Sequence, residues 1–209
     1  LIKSLARLLA SDPGFDAGNV ATMSLLPREA YTTRPQLMEF HKQVLERISA
    51  IPGVEAACAN NGDLPGLEPG WQNDIVPEVN GQYQHINPGE LINVDWGIVT
   101  ADYFKTMRIP IKQGRTFTPP EVTQGTPVGL VDEQLANKFW PDGDALGKHI
   151  KYDGPVPHEI IGVVGDVRNY GSETLGRIKI YTPYGRALLP RSTLAVRTAL
   201  PPSQHGENS

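Results

Sequence analysis

Apolar residues along this chain switch between alternate and helical spacing, and Gly, Pro, Asn or Asp marks most of the switches. The pattern predicts short strands and helices joined by turns. The densest block runs from Pro127 to Arg168. Val128, Leu130 and Val131 predict a strand, and Asp132 is placed to cap a helix. Leu135, Ala136, Phe139 and Trp140 follow at helical spacing, and Pro141 stops the helix. After a loop marked by Gly143 and Gly147, Ile160 to Val167 predicts a buried strand interrupted by Gly162 and Gly165. A bulge or a close backbone approach is expected there.

Nearer the start, Val20 to Leu26 predicts a strand. Thr33 with Gln36 forms a capping box for a helix over residues 34 to 50, carried by Leu37, His41, Val44, Leu45 and Ile48 and closed by Pro52 and Gly53. Val54 to Ala59 predicts a second strand, parallel to the first. Residues 61 to 90, rich in Gly and Pro, predict an irregular, mobile excursion with one strand near Asn73 to Val79. Within it Trp71, a large aromatic in a polar setting, is a candidate partner contact. Glu90 to Thr100 resumes a strand pattern. Ala101 to Met107 predicts a short helix whose Tyr103 and Phe104 are structural core, as are Phe139 and Trp140 in the later helix. Residues 119 to 126 predict a turn-rich link. Lys179 to Pro183 and Ser192 to Thr198 predict two more strands, and the polar residues from Ala199 onward a disordered tail.

Composition narrows the function classes. With 19 basic against 23 acidic residues the 209-residue chain carries a net charge of −4, so nothing suggests a nucleic-acid partner. Gly and Pro number 21 and 19, which fits many turns and short elements. The single cysteine, Cys58, sits in an apolar alternating run and is expected as a buried small hydrophobe. No window approaches the ~18 apolar residues of a membrane helix. LIKSLARLLA at the start nevertheless puts Leu1, Ile2, Leu5, Leu8 and Leu9 on one helical face.

Motifs that carry chemistry fall short. GDALGK at 143 to 148 has too few residues between its glycines for a phosphate loop, and His149 stands where Ser or Thr would ligate Mg²⁺. Asp142, Asp144, Gly147 and Asp153 match part of a calcium loop, but Leu146 takes a ligand position. His158 and Glu159 lack the second histidine of a zinc protease helix, and the segment has a strand pattern. Neither a nucleophile elbow nor a ligand-spaced histidine pair occurs, so the expectation is no enzyme, no metal and no cofactor. Asp166 and Arg168, two apart at a strand end, share one face. They are either a pair facing a ligand cleft or a device that fixes the following turn.

The runs YFKTMRIPIKQGRTF, VDEQLANKFWPDGDALGKHI and EIIGVVGDVR resemble the extracytoplasmic core domain of MacB-like ABC permeases, a likeness that spans about Asn19 to Thr198. The resemblance implies an α+β fold of two lobes: a split βαβ, porter-like lobe (19–62 plus 191–198) and a mixed α/β lobe (63–190) inserted into it. It implies that residues 1–18 are a helix and linker from a membrane helix; from the residues alone an amphipathic helix packed on the domain serves equally. It further implies a non-catalytic domain on the periplasmic side of the inner membrane, taking part in efflux. A cytoplasmic ABC ATPase, a second permease copy or half, and an envelope protein would be its partners. A stand-alone extracytoplasmic ligand-binding or adaptor module is the alternative. In the porter-like lobe, Ser192 to Thr198 is expected antiparallel between the strands 20–26 and 54–59, leaving the strand 20–26 as an open edge.

Overall fold

The capping box predicted at Thr33 forms: its backbone N–H and hydroxyl both donate to Gln36 Oε1, at 3.2 and 2.9 Å. It starts α1 (Arg34–Ser49), which links β1 (Val20–Leu25) to β2 (Val54–Asn60). The computed structural model describes residues 13–26, 33–62, 64–65, 71–84, 92–152, 154–167, 178–187 and 191–199. The expected lead helix before residue 13, Arg168 and the tail beyond residue 199 lie outside them. The last strand, β11 (Ser192–Thr198), lies between β1 and β2 and runs antiparallel to both. Met23, Leu194 and Ala59 stand abreast, so β1 and β2 are parallel to each other. Among the described residues β1 has a strand partner on one side only.

The remaining strands are β3 (Trp71–Val79), β4 (Gln82–Tyr83), β5 (Ile92–Val99), β6 (Ile111–Gly114), β7 (Val128–Asp132), β8 (His149–Lys151), β9 (Pro157–Val164) and β10 (Lys179–Pro183). Six of them close into a ring: β5 pairs β10, then β7, β9, β8 and β3 follow, and β3 pairs back onto β5. Ile75, Val94, Val131, Ile150, Ile160 and Ile180, one from each strand, are all 0% exposed and belong to one apolar cluster. A ring with side chains packed inside is a small barrel, and closure leaves these six strands few free edges.

Two expectations are corrected. Residues 71 to 83 are not an irregular excursion: β3 runs nine residues and turns at Asn80 and Gly81 into β4. Pro77 and the polar residues facing out hide its alternation. The expected link at 119 to 126 contains α3 (Pro119–Gln124), started by a second capping box in which Thr118 N–H donates to Glu121 Oε2 at 2.8 Å. Arg115 donates both guanidinium ends to the same carboxylate. These contacts hold the Glu121 carboxyl down at about 2, with Arg115 the largest cause.

The interruption foreseen at Gly162 is present. The register between β7 and β9 skips from Ile160 to Gly162, and a Cβ at Gly162 would stand 2.5 Å from the Arg115 carbonyl oxygen. Outside the ring, α2 (Tyr103–Met107) puts Tyr103, Phe104 and Met107 into a second cluster with Leu130 and Tyr181 of the ring and Cys58 and Ala195 of β2 and β11. α4 (Glu133–Phe139) is capped by Asp132, whose Oδ1 accepts from Leu135 N–H at 2.8 Å.

Candidate functional site

By backbone pairing the three-stranded part and the ring meet at a narrow seam, while both apolar clusters run across it. Asn60 and Val99 are the single paired position between β2 and β5 among the described residues, and side chains extend the stitching. Thr100 Oγ1 accepts from Ala59 N–H at 2.9 Å, Asn61 Oδ1 accepts from Ile98 N–H at 3.1 Å, and Asn61 Nδ2 donates to the Trp96 carbonyl at 3.1 Å. Two features lie across this seam.

The first is the lead-in segment, residues 14 to 19. Gly14, at φ +80°, passes so close to Asp166 that a Cβ there would overlap its carbonyl oxygen. Phe15 is buried with Met107, Ile109 and Val167, and Asp16 N–H donates to the Met107 carbonyl at 3.0 Å. From β11, the buried Arg197 donates through Nε to Thr106 O and through Nη1 to Gly18 O, both at 2.7 Å, and through Nη2 to Asp16 O. Arg108 joins the carboxylates of Asp16 at 2.7 Å and Glu55 at 3.4 Å. The Gly18 N–H, Arg108 and Arg197 together hold the Asp16 carboxyl below its usual range. Thr198 N–H closes the group on the Asn19 carbonyl at 2.9 Å. Residues 14 to 19 thus touch β11, α2 and the segment that follows β9.

The second is a groove of about 570 Å³ between α1 and α3, with Met38, Leu45, Ala57, Pro119, Pro120 and Val122 among its lining residues. Under it, His41 Nδ1 faces the Leu37 carbonyl at 2.8 Å, while Nε2 meets Ser192 Oγ at 2.9 Å and Tyr184 OH at 3.0 Å. That spacing is what a serine nucleophile and its base need. However, Ser192 is buried, and the second ring nitrogen is taken by a backbone carbonyl where a catalytic triad would have a carboxylate. Burial lowers the His41 pKa and raises that of Tyr184 to about 12. The cluster fastens α1, β11 and the turn 184–186 to one another.

The residues singled out from sequence are scattered over the fold. Tyr103, Phe104 and Trp140 are buried; Phe139 is half-buried and packs against the main apolar cluster from its margin. Trp71 is 46% exposed at the start of β3, edge-on to Trp96 at 6.0 Å, and lies outside the groove. Asp166 accepts from Gln134 N–H at 3.0 Å, a contact to the first turn of α4. Burial raises its pKa and pushes that of the neighbouring Asp132 to about 7. Gly147 makes an ordinary turn, its N–H donating to the Ile160 carbonyl, and Asp144 pairs with Lys148. Among the described residues no group of His, Cys, Asp or Glu is placed to hold a metal. Sequence reasoning missed Arg197, Asp16, Thr100 and Asn61. Arg197 and Asp16 are 181 positions apart, and neither sits in a local motif.

Fold and contacts together define a mixed α+β domain whose distinctive polar groups tie its parts to one another. The chain belongs to the family of MacB-like periplasmic core domains, whose model matches residues 10–204. It is 29% identical over 129 residues to the macrolide export ATP-binding/permease protein MacB of Chromobacterium violaceum, covering 60% of this chain and 19% of that protein. To the MacB of Haemophilus ducreyi it is 25% identical over 194 residues, 88% of this chain and 26% of that protein. To the uncharacterized ABC transporter permease YvrN of Bacillus subtilis it is 35% identical over 65 residues, 31% of this chain and 16% of that protein. The chain thus spans about a quarter or less of the length of these relatives. Its fold is similar to the periplasmic region of MacB from Actinobacillus actinomycetemcomitans, with a TM-score of 0.56 at 17% identity over 95% of this chain and 82% of that one. It is also similar to the extracellular domain of the noncanonic ABC-type transporter YknZ, with a TM-score of 0.51 at 17% identity over 86% and 84%.

Proposed function

We propose that this chain is the extracytoplasmic domain of an ABC transporter permease and that it transmits movement between membrane helices and proteins outside the membrane. It does no chemistry of its own; a cytoplasmic ATPase supplies the energy, and a second permease copy and an envelope protein complete the assembly. The supporting observation is the lead-in clamp. Residues 14 to 19 and the end of β11 run side by side, and Arg197 and Arg108 tie them to elements on both sides of the seam. A pull on the lead-in segment would turn the three-stranded part (19–62 plus 191–198) against the inserted part (63–190) about the narrow pairing of Asn60 with Val99. Trp71, exposed on the ring, is the proposed contact for an envelope partner.

The test is a disulfide across the seam, Asn60→Cys with Val99→Cys, in the full-length permease reconstituted with its ATPase. ATP-driven turnover should fall severalfold on oxidation and return on reduction. Unchanged turnover in the fully oxidised protein would overturn the hinge. A second reading, a ligand-binding or adaptor module, is favoured by the apolar groove across the same seam. It predicts saturable binding by the chain in the absence of any permease.

A further inference from the structure

The groove continues beyond the seam. A second hollow of about 410 Å³ lies against it, and the two share Met38, Glu39, Lys42 and Thr123. Together they form a trough that follows α1 from Arg34 to Glu46, about 18 Å at ~1.5 Å per residue. Its one long wall is α1, whose backbone groups are largely taken up within the helix; the six-residue α3 borders only part of it. Along α1 an incoming strand therefore finds no ladder to join, and an occupant binds there through side chains. An open trough of this length matches about three turns of a helix.

Charge gives the trough a direction. Glu46 and Asp102 line the wider hollow only, whereas Arg34 lines the narrower one, where it donates to the Gln124 carbonyl at 3.1 Å. Between them Lys42 lies 4.0 Å from Glu39. We infer that the trough is a docking site for an amphipathic helix of a partner protein. The helix sets its apolar stripe against Met38, Leu45 and Val122 and its basic end against Glu46 and Asp102. This goes beyond the coupling role and does not rest on it, since binding requires neither the membrane nor the ATPase.

The test uses the 209-residue chain and a fluorescein-labelled synthetic helix of about fourteen Leu, Ala and Lys residues, with one apolar stripe and its lysines concentrated at one end. A scrambled peptide of the same composition and dodecyltrimethylammonium, a small cationic amphiphile, are the comparisons. By fluorescence anisotropy the striped helix should bind at least tenfold tighter than the scrambled peptide. Thr123→Trp, at an exposed position shared by both hollows, should weaken it at least tenfold. Glu46→Gln with Asp102→Asn should weaken it at least threefold, an effect that shrinks with added salt. Trp71→Ala, off the trough, should leave binding within twofold. Equal binding of the scrambled peptide, or unchanged binding to a Thr123→Trp variant with native circular dichroism, would overturn the inference. So would amphiphile binding that Thr123→Trp blocks while the striped helix does not bind, since the trough would then be a small-ligand pocket.

Discussion

Thr100 and Ala59 bind each other reciprocally across the seam: the Thr100 amide donates to the Ala59 carbonyl at 3.0 Å, and the Thr100 hydroxyl oxygen accepts from the Ala59 amide at 2.9 Å. A side chain here does the work of a strand's carbonyl. The sheet thus crosses from β2 to β5 without leaving the fully buried Ala59 amide unpaired.

Thr100→Val keeps the shape and removes the acceptor. Unfolding by urea should show a loss of about 1–3 kcal/mol, the cost of a buried unsatisfied N–H, with Thr100→Ser close to wild type. A loss below about 0.5 kcal/mol in the valine variant would mean that the seam rearranges to satisfy Ala59 by another route.

Arg197 binds three carbonyls at once, those of Thr106, Gly18 and Asp16, which a single ammonium cannot span. Arg197→Met should cost about 2–4 kcal/mol, and Arg197→Lys should recover only part of it. In both variants amide exchange should speed up at residues 16 to 19 before it does so in the ring. Equal protection of the lead-in segment in wild type and variant would contradict its dependence on the guanidinium.

His158 is buried against the Tyr152 ring, centroid to centroid 4.1 Å, and burial, aided by Arg186, pushes its pKa down from 6.5 to about 4. The unfolded chain takes up this proton first on acidification. Stability is therefore lost as pH falls from about 6.5 to about 4, by up to about 1.4 kcal/mol per pH unit. Asp132 acts in the opposite sense. Burial raises its pKa from 3.8 to about 7, so the folded state holds the extra proton and loses stability as pH rises between those values. Unfolding free energies of wild type and His158→Phe, measured from pH 8 to pH 4, should diverge in favour of the variant below about pH 6.5. A constant difference would remove His158 as the cause.

Trp140 and Phe139 are neighbours with unequal roles. Trp140 is buried and donates from Nε1 to the Glu78 carbonyl at 2.9 Å, whereas Phe139 is half-buried beside it. Trp140→Ala should cost about 3–5 kcal/mol and Phe139→Ala less than half as much. The reverse order in chemical denaturation would place the main anchor of α4 on Phe139.

Local signals made much of this fold legible. Thr33 with Gln36, Asp132 before Leu135, and the apolar spacing of 192 to 198 depend on residues a few positions apart, and each structure follows its pattern. Closure of the ring was not legible, because it rests on Trp71 pairing with Trp96 and Val76 with Lys151. Such pairings are chosen by shape and burial across the whole fold and leave no mark on the spacing within either strand. Two prolines and the brevity of α3 gave it the look of a turn, although Thr118 and Glu121 carried its capping signal. The clamp escaped entirely, since a buried arginine binding backbone carbonyls requires only that those carbonyls be near, whatever residues bear them.

Thr198 and Asn19 stand one hydrogen bond apart, so the first and last strands of the fold share a single corner. The segment entering β1 and the segment leaving β11 cannot separate there without breaking that bond, and a shift of one carries the other with it.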